Sequence, residues 1–339
     1  METIKIGVIG CGYWGPNLIR NFVEIPASEV VSVADLREER LAHIKSTYPN
    51  IKVTKEYQDL FTEDIQAVII ATPPATHYPL AKEFLTRGYH VFVEKPITLN
   101  SQHAEELIQI SKENGLVLMV GHTFEYNQAV HTLKDLIDSG ELGKIYYVDA
   151  ARLNLGLYQN DSNVLWDLAP HDISILLYLL GHTPISVSAH GSPCVTEGIH
   201  DIAYMNLSFP DNILGHIHVS WLDPCKVRRV TVVGSKKMVV YNDIESMEKI
   251  RIYDKSVEKP PYTNSFGDFN FSYHYGDVII PNIRFTEPLK KECQHFLDCI
   301  RNHTEPLSNG QSGLNVVKII EAAQRSLQEN GKNQEIIKW

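Results

Sequence analysis

Lys95 stands at the end of an apolar strand, a position from which a lysine could take part in catalysis. It closes the segment Val91-Phe92-Val93-Glu94-Lys95-Pro96, in which Pro96 disfavours helical geometry at Lys95 and removes one backbone donor. The ammonium group is therefore expected at the carboxyl edge of a sheet, where ligands bind in open α/β folds. There it could donate to a substrate oxygen and stabilise negative charge that develops on it. A surface lysine that merely ends a strand is the alternative.

Asp167 and His171 form a second candidate group. They lie four residues apart in Trp166–Asp172, so they share one face if both are helical. Pro170 is expected only in a first turn, which predicts that His171 is close to the helix N-terminus, where the positive dipole end disfavours imidazolium. A neutral imidazole can act as a general base, and Asp167 could orient it or contact substrate. The alternatives are an N-cap role for Asp167 and a structural, partly buried role for His171.

A glycine-rich segment, GCGYWG at residues 10–15, follows an apolar strand and precedes a helical pattern. This context matches the G-x-G-x-x-G dinucleotide fingerprint. Gly10 would permit a tight turn, Gly12 would let the backbone approach a pyrophosphate, and the helix N-terminus would receive the phosphates. We expect Tyr13 and Trp14, between the glycines, to contact the cofactor as well.

Asp35 ends the second predicted strand, at the distance from the glycines where an acid binds the ribose 2′-hydroxyl of NAD. It could also cap the helix that follows. Arg37 could accept the 2′-phosphate of NADP, but Asp35 would repel that phosphate. The pattern therefore favours NAD over NADP.

The loop after the fourth predicted strand reads TPPATH, and it would lie at the same carboxyl edge as the segment that ends in Lys95. For this loop, cofactor contact and a capped structural turn are alternatives. We predict cofactor contacts for the following residues: Thr72, Pro73, His77, Glu94 and Lys95.

The composition is typical of a globular protein, with 43% hydrophobic and 21% charged residues. A net charge of -10 without any Lys/Arg cluster argues against nucleic acid or an anionic membrane as the main partner. The five cysteines are scattered without a CxxC pair, so neither a disulfide framework nor a metal site is predicted. This use of cysteine fits a reducing cytoplasm. The N-terminus runs straight into a strand without a leader-like pattern, and no apolar stretch approaches the roughly 20 residues of a membrane span.

A chain of 339 residues exceeds what one core usually accommodates, so two domains are expected. In the first 120 residues, short apolar runs alternate with helical patterns, which predicts a doubly wound parallel sheet. The predicted strands are Ile4–Ile9, Val30–Ala34, Ala67–Ala71, Val91–Val93 and Val117–Val120. The predicted helices are Asn17–Val23, Arg37–Tyr48, Tyr78–Thr86 and Ser101–Asn114.

After Gly121 the pattern changes to strand-like runs separated by turn residues, which predicts an α+β domain with a mostly antiparallel sheet. A helix at Ala169–Leu180 would cover one face, residues 255–287 would form an ordered excursion, and two helices would close the chain. We predict a nucleotide-binding domain at residues 1–123 and a substrate-binding domain at residues 124–339.

The three motifs together resemble the Gfo/Idh/MocA (glucose-fructose oxidoreductase/inositol dehydrogenase) family. GVIGCGYWG, Glu94-Lys95-Pro96 and Asp167-x-x-x-His171 agree with it in order and spacing over nearly the whole chain. The resemblance implies an α/β protein with an N-terminal Rossmann domain and a C-terminal α+β domain whose open sheet commonly forms a homodimer or homotetramer. It implies hydride transfer between nicotinamide and a sugar or cyclitol carbon, with Lys95 and His171 catalytic and Asp167 beside them. It also implies that the Lys95–Pro96 peptide bond is cis.

The substrate is predicted from two segments rich in hydrogen-bonding or cationic side chains. Residues 154–173 and 220–234 look similar to family members that oxidise C3 of UDP-N-acetylglucosamine or its uronate. Surface loops and a solvated edge strand are the alternatives. The candidate substrate-binding residues are Arg152, Asn154, Tyr158, Asn160, Lys226 and Arg228.

Other reactions remain open for a member of this family. Inositol or free-sugar oxidation and 3-ketosugar reduction use the same groups, and a few relatives cleave glycosides through transient oxidation by tightly bound NAD. A stable change in nicotinamide absorbance on adding substrate would favour a dehydrogenase. Aryl-glycoside release without net reduction would favour a glycosidase.

Overall fold

The computed structural model describes residues 3–159, 162–258 and 271–336, and it divides the chain into two compact units. The first unit consists of Met1–Tyr126 and Thr286–Lys318, and the second of Asn127–Phe285 and Ile319–Trp339. The first unit is therefore built from two separate pieces of chain. The predicted division into 1–123 and 124–339 differs from this, because residues 286–318 return to the first unit.

The described part of the chain contains eight α-helices. In chain order they are α1 Gly15–Glu24, α2 Glu38–Thr47, α3 His77–Thr86, α4 Ser101–Glu113, α5 Gln128–Asp138, α6 Val164–Leu180, α7 Pro288–Asn302 and α8 Gly310–Gln328. None of the helices in these described ranges is both long enough and apolar enough to cross a membrane.

The first unit contains a six-stranded parallel sheet in the order β3-β2-β1-β4-β5-β6. Its strands are β1 Ile4–Ile9, β2 Ser28–Ala34, β3 Lys52–Thr54, β4 Ala67–Ile70, β5 His90–Glu94 and β6 Leu118–Gly121. This order reverses at β1, so the crevice where doubly wound folds bind ligands opens between the carboxyl ends of β1 and β4, and β5 lies next to β4 at the same edge.

α7 completes the core of the first unit although it follows the larger piece of the second unit in the chain. The Phe296 ring meets Phe22 of α1 and Phe92 of β5 edge to face, with ring centroids 6.4 Å and 5.7 Å apart, and all three are fully buried. Aromatic pairs of this kind add to the stabilisation from apolar burial. The contacts explain why the returning segment belongs to this unit.

The second unit contains a nine-stranded mixed sheet in the order β14-β13-β12-β11-β7-β10-β9-β8-β15. Its strands are β7 Ile145–Leu153, β8 Ser186–Ser192, β9 Ile202–Ser208, β10 Leu214–Ser220, β11 Val227–Gly234, β12 Met238–Asn242, β13 Ile250–Glu258, β14 Ser272–Ile279 and β15 Gln334–Glu335. β7 and β10 pair in parallel and the other neighbours are antiparallel. The two sheets confirm the predicted α/β class with a second, mostly antiparallel sheet.

Burial alternates along the central strands of this second sheet. In β9, Ala203, Met205 and Leu207 are buried, whereas Tyr204 and Asn206 between them are exposed. Alternation with a period of two places the first set on the covered face and the second on the open face. The sheet thus presents one face with exposed side chains.

Candidate active site

The glycine loop joins β1 to α1 through backbone positions that only glycine can occupy without strain. Gly10 has a φ of +96°, and a Cβ there would lie 2.5 Å from the Ala71 carbonyl oxygen. A Cβ at Gly15 would overlap the Gly10 carbonyl oxygen. No acidic residue occupies the first turn of α1, so its positive end can receive an anion. Tyr13 is 80% exposed and its ring meets Trp14 edge to face beside this end.

Asp35 is fixed against the glycine loop. Its Oδ2 accepts a hydrogen bond from the Cys11 N–H over 2.6 Å, and its Oδ1 accepts one from the Arg37 N–H over 2.9 Å. The Arg37 Nε also lies 3.8 Å from this carboxylate. An acid held beside the glycine loop is what recognition of the adenosine ribose of NAD requires. The cradle and the acid therefore fit a dinucleotide.

Arg40 is a residue of this region that sequence reasoning missed. Its Nη1 is buried without a hydrogen-bond partner among the described residues, and it lies 3.3 Å from where a Cβ on Gly12 would be. Its place in the first turn of α2, shortly after Asp35, was the available signal. The structure thus sets two arginines, Arg37 and Arg40, near one acid at the ribose end of the dinucleotide site.

His77 is completely buried, and its ring joins two loops of the crevice. Its Nε2 lies 2.9 Å from the Thr72 carbonyl oxygen and its Nδ1 lies 2.8 Å from the Pro96 carbonyl oxygen. The predicted cofactor contact of the His77 side chain is therefore wrong, because the side chain has no exposed surface to offer. Pro73 is exposed and Thr72 half-buried, so these two residues remain candidates for that contact.

At the end of β5, Lys95 is partly exposed, whereas the neighbouring Glu94 side chain is buried. Lys95 is half-buried, and the Lys95–Pro96 peptide bond is cis, as the resemblance implied. The Glu94 side chain is only 6% exposed, and its Oε2 lies 3.0 Å from where a Cβ on Gly121 would be. The Glu94 carboxylate is therefore largely covered, and the cofactor contact of this residue stays a prediction.

Burial perturbs the pKa values of several ionisable groups in the first unit. It raises the pKa of Glu94 to about 7, against the opposing influence of the Lys95 charge and backbone N–H. It lowers the pKa of His122 to about 3, with a further lowering by Lys95. It also raises the pKa of Glu292, whose Oε2 accepts from the Thr123 hydroxyl over 2.7 Å. Glu94 is thus the group of this set that titrates near neutral pH.

α6 begins earlier than predicted, and this changes the position of His171. The Asn163 side chain caps the helix by accepting from two backbone N–H groups, and the helix starts at Val164. Pro170 therefore lies inside the helix, and His171 lies about two turns from its N-terminus. The prediction that the helix dipole acts on His171 is wrong, since that effect is confined to the terminal turn. Asp167 lies in the first turn and is not the N-cap.

Asp167 belongs to a small aromatic cluster. Its Oδ2 accepts from the Trp221 indole N–H over 2.8 Å, and the Tyr158 ring lies 5.5 Å from Trp221 between centroids. Trp221 is 1% exposed, so it has almost no surface for a ligand, and its role is to orient Asp167 from the buried side. The Tyr158 hydroxyl is buried and has no hydrogen-bond partner among the described residues. Sequence reasoning singled out Tyr158 but overlooked Trp221, whose signal was its place directly after β10.

The predicted substrate contact of Arg152 is wrong. Its guanidinium makes a bidentate ion pair with Asp172 of α6, over 2.7 Å and 3.0 Å, and both residues are almost fully buried. The pair joins β7 to α6 and leaves only 5% of the Arg152 side chain exposed. Its role is therefore to hold the helix that carries Asp167 and His171.

The other predicted substrate residues fall into three cases. Arg228 donates to Asn154 Oδ1 over 3.1 Å and to the Leu153 carbonyl oxygen over 3.2 Å, so the two candidates bind each other. Lys226 is exposed. Asn160 lies outside the described residues.

Two family models match the chain. One, described as an oxidoreductase family with an NAD-binding Rossmann fold, matches residues 4–122, and the other, a GFO/IDH/MocA C-terminal domain, matches residues 130–240. The chain belongs to the Gfo/Idh/MocA family. It is therefore an NAD(P)-dependent oxidoreductase of the sugar and polyol class, with an NAD-binding first unit.

Relatives within the Gfo/Idh/MocA family differ in their substrates. The chain is 27% identical to scyllo-inositol 2-dehydrogenase (NAD(+)) of Bacillus subtilis over 90% of its own length and 89% of that protein. It is 25% identical to UDP-N-acetylglucosamine 3-dehydrogenase of Acidithiobacillus ferrooxidans over 94% and 95%. The crystal structure of GenD2 from gentamicin A biosynthesis, in complex with NAD, superposes with a TM-score of 0.84 at 22% identity, covering 100% and 97% of the two chains.

Proposed function

We propose that this family member oxidises a secondary hydroxyl of a sugar or cyclitol with NAD, using Lys95 and His171 as its catalytic residues. The position of Lys95 carries the proposal. It follows β5, whose carboxyl end lies at the same edge of the sheet as the glycine loop after β1. An ammonium group at the nicotinamide crevice is suited to hold an alcohol oxygen.

Each proposed residue has a separate task. Lys95 donates a hydrogen bond to the hydroxyl oxygen and stabilises alkoxide charge as it develops. His171 takes the hydroxyl proton as general base, and Asp167, fixed by Trp221, contacts substrate or orients the imidazole. Bound NAD would supply the acceptor for the hydride. The Arg152–Asp172 ion pair keeps α6 in place while the proton moves.

Substitutions with matched controls test these roles. Lys95→Met should lower kcat by about 10²–10³, the usual cost of removing a donor that stabilises developing charge. His171→Ala should lower it by about 10²–10⁴, the usual contribution of a general base. Lys112→Met and His182→Ala serve as controls, since both side chains are exposed, at the end of α4 and just after α6. The proposal fails if either catalytic variant keeps turnover within about threefold of the parent.

We propose a nucleotide sugar as the substrate, oxidised at C3, with UDP-N-acetylglucosamine or its uronate as the first candidate. Full-length similarity to UDP-N-acetylglucosamine 3-dehydrogenase supports it. Lys226 is an exposed cation next to β11 that could meet a diphosphate. Reduction of a 3-ketosugar would use the same groups in the opposite direction.

An inositol or free sugar is the second candidate, because Arg152 and Arg228 are already engaged within the protein and give a diphosphate less support. A panel of UDP-N-acetylglucosamine, its uronate, scyllo-inositol, myo-inositol and glucose, each with NAD and NADP, separates the two candidates by the appearance of reduced nicotinamide. An aryl glycoside in the same panel tests for cleavage without net reduction. Turnover of inositols alone would contradict the nucleotide-sugar proposal.

We also propose that the chain assembles as a homodimer or homotetramer through the open face of the second sheet. The exposed side chains on that face, such as Tyr204 and Asn206, support this. Light scattering of the purified protein would give the mass. A replacement such as Tyr204→Lys should then favour the monomer, because it would place a charge within the contact.

A further inference from the structure

The buried imidazole of His77 has no direct role in the proposed dehydrogenase reaction. It is the first residue of α3, its side chain is completely buried, and each ring nitrogen faces a backbone carbonyl oxygen. One carbonyl belongs to Thr72, in the loop after β4, and the other to Pro96, directly after Lys95. A single side chain thus joins the two loops that follow neighbouring strands.

The two carbonyl oxygens that face the His77 ring are both acceptors, whereas the neutral ring has a single donor. A carbonyl oxygen only accepts hydrogen bonds, and a neutral imidazole has one N–H, so it can donate to only one of the two oxygens. Burial lowers the pKa of His77, which favours the neutral ring, although the two carbonyls act in the opposite direction. Packing alone would therefore favour an apolar ring of the same size over this buried imidazole, because the apolar ring leaves no nitrogen without a matching partner.

The two joined loops both border the candidate active site. Thr72 lies against the glycine loop, since its Cγ2 is 3.0 Å from where a Cβ on Gly10 would be. Pro96 shares a peptide bond with Lys95, so the position of its carbonyl restrains the backbone from which the lysine side chain extends. The ring therefore sets the spacing between the loop beside the cofactor cradle and the Lys95 backbone.

We propose that His77 is a positioning residue for Lys95. By bonding to the carbonyls of Thr72 and Pro96, it holds Lys95 at the place where the ammonium group meets the substrate oxygen. This inference rests on the proposed function, in which Lys95 contacts that oxygen. An error of about 1 Å in such a contact can cost about 10²-fold in rate.

The test uses His77→Phe, which keeps a ring of similar size without nitrogen atoms, and His77→Gln, which keeps one amide donor. His90→Phe is the matched control. His90 lies at the opposite end of β5, and its Nδ1 accepts from the Val117 N–H over 2.9 Å. His77→Phe should lower kcat by about 10- to 100-fold, with the dissociation constant of NAD within about threefold of the parent. His77→Gln should recover part of the loss, and His90→Phe should keep kcat within about threefold.

A second background separates positioning of Lys95 from general structural support. In the Lys95→Met protein, His77→Phe should change the remaining turnover by less than about threefold, because residues that act as a unit are not additive. An equal loss in both backgrounds would overturn the inference. Full activity of Lys95→Met would instead contradict the proposed function. Inactive Lys95→Met together with fully active His77→Phe would overturn the inference alone.

A measurement without substrate gives an independent reading. Acetic anhydride acylates lysine amines, and mass spectrometry of the modified protein compares Lys95 with the exposed Lys112. His77→Phe and His77→Gln should each change the acylation rate of Lys95 by more than about threefold while leaving Lys112 unchanged. Unchanged Lys95 acylation in both folded variants would overturn the inference, whichever substrate the enzyme uses.

Discussion

Replacing Glu94 with glutamine should make the stability of the protein less dependent on pH. Burial raises the pKa of Glu94 from 4.5 to about 7, which corresponds to about 3 kcal/mol of unfavourable ionisation in the folded state. Because the folded pKa is the higher one, the stabilising protonated form is fully present below about pH 4.5 and is lost as the pH rises towards 7. About 2 kcal/mol of this loss should fall between about pH 5.5 and pH 8.

The measurement is urea unfolding of the parent and of Glu94→Gln in buffers at about pH 5.5 and pH 8. Relative to the variant, the parent should lose about 2 kcal/mol of unfolding free energy at the higher pH. Glu113→Gln is the control, because Glu113 is an exposed carboxylate near the end of α4 and should show no such loss. A parent-to-variant difference that stays the same at both pH values would refute the reasoning. Hydrogen exchange of the β5 amides would give the same comparison locally.

Two further substitutions should change the stability of the protein and its cofactor preference. Asp172→Asn should lower the unfolding free energy by about 3–5 kcal/mol, because it removes the carboxylate of a buried bidentate pair with Arg152. Thermal and urea unfolding would check this, and a loss below about 1 kcal/mol would contradict it. Asp35→Ser should raise the ratio of kcat/KM with NADP to that with NAD by at least about tenfold, since Arg37 and Arg40 remain while the repelling carboxylate is gone. An unchanged ratio in the cofactor assay would show that Asp35 does not discriminate.

The first sheet was predictable because its strands carry a strong local signal. β1 was predicted with its exact bounds, and β4 and β5 within one residue, since each is a buried apolar run. β3 has only three residues, which is too short for a periodic pattern to be recognised. β14 is exposed along its whole length, so burial gives its sequence no clear apolar face, and it lies within residues 255–287, which were predicted as an ordered excursion without a strand.

The start of α6 was mispredicted because proline was expected only in the first turn of a helix, whereas here the helix continues across it. Pro170 removes one helical hydrogen bond, but the Asn163 cap and a run of buried apolar residues such as Leu165 and Ile173 keep the helix intact across it. The error moved His171 to the helix end. The hydrogen-bond partners of Arg152 and His77 could not be predicted from the sequence either, because the bonds to Asp172 and Pro96 join residues about 20 positions apart in the chain.

The return of α7 to the first unit has a consequence for biosynthesis. Since the ribosome makes the chain from its N-terminus, Phe22 and Phe92 are made long before Phe296, which covers them in the finished fold. The cofactor-binding unit therefore keeps an uncovered apolar surface until Asn127–Phe285, the larger piece of the second unit, has been made and α7 follows it. A fragment ending near Tyr126 should expose that surface and aggregate, and the second unit is likewise completed only when its last piece, Ile319–Trp339, has been made.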